Sequence, residues 1–352
     1  MNCFYRKTGH PLNGLAPFLI NQKSNTKMKR IALSIAAVLL GIGTSMAVDE
    51  NTVVITYEGT TATVEVASNI SNYITDLSNG SSHVRLEQSS LFNGNAEGEI
   101  IYVLSGSSDD GEFYLEGSYK CTVELNDLTL TNPTGPAMNI QNGKRVEVSA
   151  KNGTVNTLTD GANEDYNGCF HCKGHTKLKG KGTLNIVGNS KHALYSKEYV
   201  EVKNLTLNIT AAVKDGIHCK EYFLMESGTV NITGAADDAI QVELSGQAST
   251  GTTSEHEDED SGNFYQEDGT LTLSGYEGKA IKADGSINFN GGVQDFDKTD
   301  VTENALAGIE TVTQNWISVN GYYDLNGRRY SSPVRGFNLK RIGTKTVKMF
   351  HR

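Results

Sequence analysis

Short segments in which apolar and polar residues alternate recur along the chain at a fixed interval. Three of them share a Thr-apolar-Asn-Ile core whose threonines are 23 residues apart: Gly182–Ile186, Leu205–Ile209 and Gly228–Ile232. Alternation with a period of two is typical of β-strands, and no helical period runs through these segments. The pattern therefore predicts one β-rich unit that is copied and stacked.

A second motif, a small residue followed by an apolar one, keeps the same spacing in Ala193–Ser196, Gly216–Cys219 and Ala239–Val242. Weaker copies of the two motifs extend the series at 128–131, 137–140, 153–156, 169–172, 269–273 and 280–283. Two motifs locked to one period predict an all-β protein, a right-handed parallel β-helix of about 23 residues per coil with regular coils over about 119–290. The handedness follows from the general preference of parallel crossover connections.

Alternation also predicts which residues face the core. The equivalent inward positions of the first motif are Leu184, Leu207 and Val230. The polar column between them is Asn185, Asn208 and Asn231, whose amides are expected to hydrogen-bond to each other along the stack. One interval, Thr229 to Thr270, exceeds the period by 18 residues, which predicts that the acidic stretch 244–263 is a surface insertion.

Four cysteines follow residue 48: Cys121, Cys169, Cys172 and Cys219. The C-x-x-C spacing of Cys169 and Cys172 on its own suggests a metal or redox site. The repeat register instead places Cys172 and Cys219 at inward positions two coils apart, about 9.6 Å at ~4.8 Å per coil. A disulfide needs a shorter separation, so we expect buried thiols that fill the core, with a functional C-x-x-C pair as the alternative.

The two ends of the chain differ in composition from the repeats. Residues 28–47 combine a basic start, an apolar run and small residues before Ala47, which predicts a signal peptide, cleavage near Ala47 and a secreted or cell-surface protein. Residues 1–27 are then an upstream artefact. The remaining chain divides into an N-terminal β region (48–98), the β-helix (99–292), a linker (293–307) and a small C-terminal β-module (308–352) with an Asn326-Gly327 hairpin turn.

The net charge of the chain limits the classes of partner that it is expected to bind. Six of the 31 basic residues and none of the 41 acidic residues precede Val48, which leaves a net charge of −16 on the rest of the chain. Such an acidic body is not expected to bind nucleic acid. It is suited to calcium, which prefers oxygen ligands. No membrane span is expected after Ala47.

Alternation places two polar columns on one outer face of the coils. The first is His171, Tyr195 and His218, and the second is Lys173, Lys197 and Lys220. Three ammonium groups about 4.8 Å apart at their roots repel each other, and a polyanion laid along them would relieve that repulsion while the rings stack on sugars. The alternative is a solvated face whose lysines pair with neighbouring glutamates.

The turn that precedes the second motif carries carboxylates in successive coils. Asp215, Asp237 and Asp238 are predicted to hold a structural calcium ion between coils, because carboxylates of neighbouring coils can share one ion. Alternatively these aspartates cap the turns by accepting backbone hydrogen bonds. Zinc bound by His171, His192 and His218 is disfavoured, because the register places the three histidines in different columns.

The linked order of these motifs resembles the secreted carbohydrate-binding domain-containing proteins of anaerobic bacteria, which share the right-handed parallel β-helix of pectate lyases. The segments that carry it are Lys173–His175, Gly182–Ile186, Gly188–Ala193, Ser196–Tyr199, Val213–His218 and Asp237–Gln241. The resemblance implies binding of an acidic plant polysaccharide such as polygalacturonate, with calcium between coils and no lyase activity. The segments 323–329 and 335–341 also resemble the C-terminal modules of proteins exported by type IX secretion.

Three function classes follow. The first is a secreted, non-catalytic carbohydrate-binding protein. The second is a calcium-dependent pectate lyase in which Lys214, beside Asp215, acts as the base. The third is a structural or adhesive surface solenoid without a glycan site.

Overall fold

A computed structural model describes the protein over residues 48–162, 164–246, 259–298, 300–303, 321–323, 329–330, 332–342 and 345–351. The predicted signal peptide and upstream segment, most of the acidic insertion and the Asn326-Gly327 turn lie outside these residues. No helix in the described ranges is long and apolar enough to cross a membrane.

Seven strands and one 3₁₀ turn (Ser71–Tyr73) precede the regular coils. The strands are β1 (Thr52–Glu58), β2 (Thr61–Val66), β3 (Ile74–Asp76), β4 (His83–Gln88), β5 (Ile100–Ser108), β6 (Glu112–Gly117) and β7 (Cys121–Asn132). β1 and β2 form an antiparallel hairpin, and Gly59 takes the left-handed φ of +66° in its turn. Parallel pairing already begins here, between β1 and β5 and between β4 and β6, upstream of the predicted boundary at 99.

Each regular coil contributes three strands. In chain order they are β8 (Met138–Asn142), β9 (Val146–Ala150), β10 (Val155–Asp160), β11 (Gly168–Cys172), β12 (Thr176–Gly180), β13 (Thr183–Val187), β14 (His192–Ser196), β15 (Val200–Lys203), β16 (Thr206–Ala211), β17 (Ile217–Lys220), β18 (Tyr222–Met225), β19 (Thr229–Ile232), β20 (Ile240–Glu243), β21 (Asn263–Gln266), β22 (Thr270–Leu273), β23 (Ile281–Ala283), β24 (Ile287–Phe289), β25 (Val293–Phe296) and β26 (Val301–Glu303). Every strand pairs in parallel with its equivalent in the next coil, which is the predicted parallel β-helix.

The stacked strands give the solenoid three outer faces. Face 1 is the outer surface of β9, β12, β15, β18, β21 and β24, and face 2 that of β10, β13, β16, β19, β22 and β25. Face 3 is the outer surface of β8, β11, β14, β17, β20, β23 and β26, continued upstream by β6 and β4. The long strand β7 joins faces 1 and 2, because its first half pairs with β9 and its second half with β10.

The core consists of the inward residues of all three sides. Leu184, Leu207 and Val230 are directly in register and fully buried, as predicted. The four cysteines are also buried and free, which confirms their role as core residues and excludes a disulfide among them. A closed interior of this kind makes each coil depend on its neighbours for burial of its apolar side chains.

The predicted amide column is present on face 2. The Asn208 Nδ2 atom donates to Asn185 Oδ1 at 2.9 Å, and Asn231 Nδ2 donates to Asn208 Oδ1 at 2.9 Å. These bonds run along the solenoid and satisfy amide groups that would otherwise be partly desolvated. The column is therefore structural.

The boundary predicted at the C-terminal end of the solenoid is wrong. Residues 293–296 and 301–303, assigned to a linker, form β25 and β26, which extend faces 2 and 3 by parallel pairing with β22 and β23. Their weak apolar pattern hid them, since Val293 is exposed. The predicted C-terminal module is a four-stranded antiparallel sheet, made of β27 (Gly321–Tyr323), β28 (Arg329–Tyr330), β29 (Gly336–Ile342) and β30 (Lys345–His351).

Candidate functional site

One column of outward residues follows face 3 over its whole length. In successive coils it contains Arg85, Tyr114, Asn139, His171, Tyr195, His218, Gln241 and Lys282. The middle of this column is the one predicted from the repeats. Arg85 and Tyr114 were missed, because the irregular spacing upstream of β8 hides their register.

The rings in the middle of the column contact one another. His171 stacks on Tyr195 at 5.2 Å between ring centroids, and Tyr195 stacks on His218 at 5.4 Å. The rings thus cover each other's faces and present their edges, so contact with a sugar through these edges fits the structure better than the predicted stacking of the rings on sugars, which stays untested. Burial lowers the pKa of His171 to about 4, with Lys191 acting in the same direction, so its ring is neutral at pH 7.

Two of the three predicted lysines form no close ion pair, although the charge of Lys197 acts to lower the pKa of Glu198. Lys173 and Lys197 are exposed, and neither has an ion-pair partner among the described residues. Lys220 is half-buried and its Nζ atom lies 3.7 Å from Glu243 Oε2 in the next coil. The predicted strip of three lysines is therefore two free ammonium groups on adjacent coils and one that is paired.

A groove of about 190 Å³ lies beside the upstream end of the column. The Arg85 guanidinium lies 3.9 Å from the centroid of the Tyr114 ring, a cation–π contact that covers the tyrosine. Tyr166 also lines the groove and packs its ring edge-on against His171 at 5.3 Å. Asn139 donates to Glu112 Oε1 at 3.1 Å, which links the groove to the column.

The structure brings Asp215, Asp237 and Asp238 together, with one carboxylate oxygen of each within 4.8 Å of the others. Turn capping is present as well, since Asp215 Oδ1 accepts from the backbone N–H of Asp238 at 3.1 Å. Asp238 Oδ2 is buried, lacks a hydrogen bond and lies 3.4 Å from Lys282 Nζ. Burial raises the pKa of Asp238, while a hydrogen bond from the backbone N–H of Lys279 and the ammonium of Lys282 act in the opposite direction.

Asp215 also joins two of the histidines. Its Oδ2 atom lies 2.9 Å from His218 Nδ1 and 3.2 Å from His192 Nδ1, and all three side chains are buried. Although burial opposes ionisation, the two imidazoles hold the pKa of Asp215 well below its usual range. The prediction that the register separates the histidines is wrong for this pair, because the turn residue His192 reaches across one coil; His171 is not part of the cluster.

A further cluster escaped the sequence reasoning. His175, Glu198 and Glu221 meet at the corner between faces 3 and 1, where His175 Nε2 lies 3.4 Å from Glu221 Oε2. Burial, together with a hydrogen bond to Glu221, raises the pKa of Glu198 to about 8, so the two carboxyl groups share a proton at pH 7. Glu221 has a φ of +63°, a conformation that few non-glycine residues adopt. The repeat pattern does not predict this backbone conformation of Glu221.

Face 1 is charged, and three of its lysines form ion pairs with glutamates. Lys177 Nζ lies 2.9 Å from Glu201 Oε2, and Lys179 Nζ lies 2.5 Å from Glu147 Oε1. Lys203 pairs with Glu226 in the same open groove of about 520 Å³. The lining of this larger groove is therefore compensated except at Lys181, which is exposed and has no ion-pair partner among the described residues.

Comparison with known proteins finds one solved structure and one family that resemble this chain. One solved structure, the "polysaccharide lyase-like protein from C. thermocellum, Gadolinium derivative", is 17% identical, with a TM-score of 0.48 over 71% of this chain and 98% of that chain. Likeness at this level assigns no function. A search of curated proteins found no match. The model of one family, "Carbohydrate-binding domain-containing protein", matches residues 93–327. Since that match spans more than half of the chain, the protein belongs to the family of carbohydrate-binding domain-containing proteins, as the motifs predicted.

Proposed function

We propose that this protein is a secreted or cell-surface, non-catalytic carbohydrate-binding protein that takes an acidic polysaccharide of the polygalacturonate type along face 3. The observation that supports the proposal most is the pair Lys173 and Lys197, two exposed ammonium groups on adjacent coils without ion-pair partners among the described residues. A polymer with a carboxylate on every sugar offers matching charges along the solenoid axis.

The acidic body of the protein requires such a local contact. With a net charge of −16 beyond residue 47, its long-range field repels a polyanion. Each lysine–carboxylate contact at about 4 Å contributes roughly 1 kcal/mol in water. Binding must therefore come from short-range contacts on face 3 and should weaken with salt, since salt screens exposed charges.

The column beside the lysines supplies hydrogen-bonding edges. The half-buried rings of His171 and Tyr195 are fixed by stacking, so their polar atoms are oriented before a ligand arrives. Preorganised polar groups bind with a smaller loss of conformational entropy than mobile ones. Sugar hydroxyl groups can exchange hydrogen bonds with these edges, while the ring faces remain occupied by each other.

Calcium at Asp215, Asp237 and Asp238 forms the second part of the proposal. The buried Asp238 Oδ2 atom has Lys282 Nζ, 3.4 Å away, as its counter-charge, and calcium would join or replace that ammonium as the cation beside it. Gly278 leaves space there, since a Cβ atom at its position would lie 2.5 Å from Asp238 Oδ1 and 2.8 Å from Asp237 Oδ1. The ion would join adjacent coils next to face 3 and so stabilise the surface that binds the polymer.

Export is part of the same proposal. A signal peptide at 28–47 and the type IX-like C-terminal module would deliver the protein to the cell surface or the medium. Mass spectrometry of the natural protein should find an N-terminus near Val48; a chain that retains residues 28–47 in the cytoplasm would contradict export.

The test is a binding titration with polygalacturonate and its methyl-esterified, neutral form. We expect binding of the acidic polymer only, weakening as salt rises and persisting, although reduced, in chelator. Equal binding of both polymers would contradict recognition of the carboxylates. Release of ultraviolet-absorbing unsaturated ends at high protein concentration would contradict the non-catalytic assignment and favour a lyase.

A further inference from the structure

His192, Asp215 and His218 converge on one point between two coils. Both imidazole Nδ1 atoms face the same carboxylate oxygen, Asp215 Oδ2, at 3.2 and 2.9 Å. The two rings lie 4.5 Å apart between centroids, and Tyr195 packs against both. Two nitrogen atoms and one oxygen thus meet in a buried position that the calcium proposal does not explain.

His192 Nδ1 contacts both the backbone and the side chain of Asp215. It lies 3.2 Å from the backbone N–H of Asp215 and 3.2 Å from Asp215 Oδ2. In the absence of a metal, a proton on this nitrogen satisfies the carboxylate. A metal ion bound at Nδ1 would take the place of that proton and would displace the contact with the backbone N–H.

The distances match those around a small divalent ion. Zinc binds imidazole nitrogen and carboxylate oxygen at about 2.0–2.2 Å, so two ligands of a tetrahedral ion lie roughly 3.3 Å apart. The two measured separations, 2.9 and 3.2 Å, are close to that value. Calcium prefers oxygen ligands at longer distances, so the two nitrogens select against it.

A residue outside the cluster supports the same interpretation. His218 Nε2, the nitrogen turned away from Asp215, lies 3.4 Å from Glu243 Oε2. Histidines that bind metals through one nitrogen commonly direct the other to a carboxylate, which fixes the tautomer and makes the ligand more basic. Glu243 lies in that position, one coil further along face 3.

We propose that His192, Asp215 and His218 bind a divalent transition-metal ion of the zinc type, which joins the coil of β14 to that of β17 and keeps one coordination position for water or a ligand oxygen. The site is separate from the calcium cluster, although both use Asp215. Its Oδ2 atom faces the histidines, whereas its Oδ1 atom faces the backbone of Asp238.

The experiment is equilibrium dialysis of the full chain against Zn²⁺, with bound metal counted by mass spectrometry. His192→Gln and His218→Gln should each bind one zinc equivalent fewer than the wild type. His351→Gln, which changes an exposed histidine of the C-terminal sheet, is the matched control and should bind as the wild type does. Glu243→Gln should weaken binding about 10–100-fold. Unchanged zinc binding in both cluster variants would overturn the proposal.

A second measurement needs no variant. Zn²⁺ should protect His192 and His218 of the wild-type protein from diethyl pyrocarbonate, whereas His351 should react equally with and without the ion. If His192 and His218 react equally with and without Zn²⁺, the proposal is also overturned. Asp237→Asn separates this site from the calcium cluster: it should abolish the response to calcium and retain zinc.

Discussion

Faces 1 and 3 belong to the same coils but differ in how their charges are used. On face 1, Lys177, Lys179 and Lys203 are each paired with a glutamate across the strands. On face 3, Lys173 and Lys197 are exposed and have no ion-pair partner in the described parts of the chain. Face 1 also has the larger groove, about 520 Å³ against about 190 Å³.

The comparison shows that the face with the larger groove does not have the larger number of unpaired lysines. A lysine that already contacts a carboxylate must lose that contact before it binds a ligand, so the net gain is small. An unpaired ammonium beside preoriented ring edges has no such cost. The charge pairing therefore supports the proposed binding site on face 3, although face 1 offers more space.

The largest effect should come from the core that both faces share. Leu207→Ala removes a fully buried side chain and should lower the free energy of unfolding by about 2–5 kcal/mol. Val213→Ala, at an exposed position, is the control and should stay within about 0.5 kcal/mol. Denaturant unfolding measures both; a near-zero value for Leu207→Ala would refute the coil register.

The second-largest effect on stability should come from calcium. An ion that binds only the folded state adds about 2.7 kcal/mol at 100 times its Kd, so the melting temperature should rise with calcium. Asp238→Asn should remove this response, whereas Asp268→Asn, at an exposed turn position, should retain it. If calcium leaves the wild-type melting temperature unchanged, the aspartates act as turn caps only.

Single lysine substitutions would sharpen the contrast between the faces. Lys177→Ala leaves the buried Glu201 carboxylate without its partner ammonium and should cost about 1–3 kcal/mol. Lys197→Ala removes no ion pair within the described residues and should stay within about 0.5 kcal/mol. If chemical denaturation shows the same loss of unfolding free energy for both variants, the difference in charge pairing between faces 1 and 3 is contradicted.

The smallest effect is a pH dependence at the corner between the two faces. Because the pKa of Glu198 is raised to about 8, the folded state binds this proton more tightly than the unfolded state does. Its contribution is complete below about pH 4.5 and is lost as pH rises through 8. Glu198→Gln should flatten this part of the pH–stability curve, and Glu267→Gln, at an exposed position, should not. An unchanged curve for Glu198→Gln would contradict the shared proton.

Much of the fold could be predicted because the repeat encodes it directly. A constant spacing fixes which residues are neighbours across coils, and alternation fixes which ones face inward. The inward column at Leu207, the amide column at Asn208 and the buried cysteines follow from these two rules alone. The same rules fail where the spacing changes, as at Arg85 and at β25.

The sites were harder to predict, because side chains lean along the solenoid axis as well as outward. His192 reaches His218 across one coil, and the rings of His171 and Tyr195 turn their faces to each other instead of to solvent. The ion pair between Lys220 and Glu243 depends on side-chain rotamers, which the repeat pattern does not predict. The repeat register predicts which residues are neighbours, but it does not predict which of their atoms are in contact.

The most direct test of the account is polygalacturonate affinity in two double variants with the same change of charge. Lys173→Ala with Lys197→Ala removes two free lysines from face 3, and Lys179→Ala with Lys203→Ala removes two paired lysines from face 1. Calorimetry at moderate salt should show a loss of at least about tenfold for the first variant, in line with two contacts of roughly 1 kcal/mol each, and little change for the second. Equal losses, or a larger loss for the face 1 variant, would contradict the assignment of the ligand to face 3.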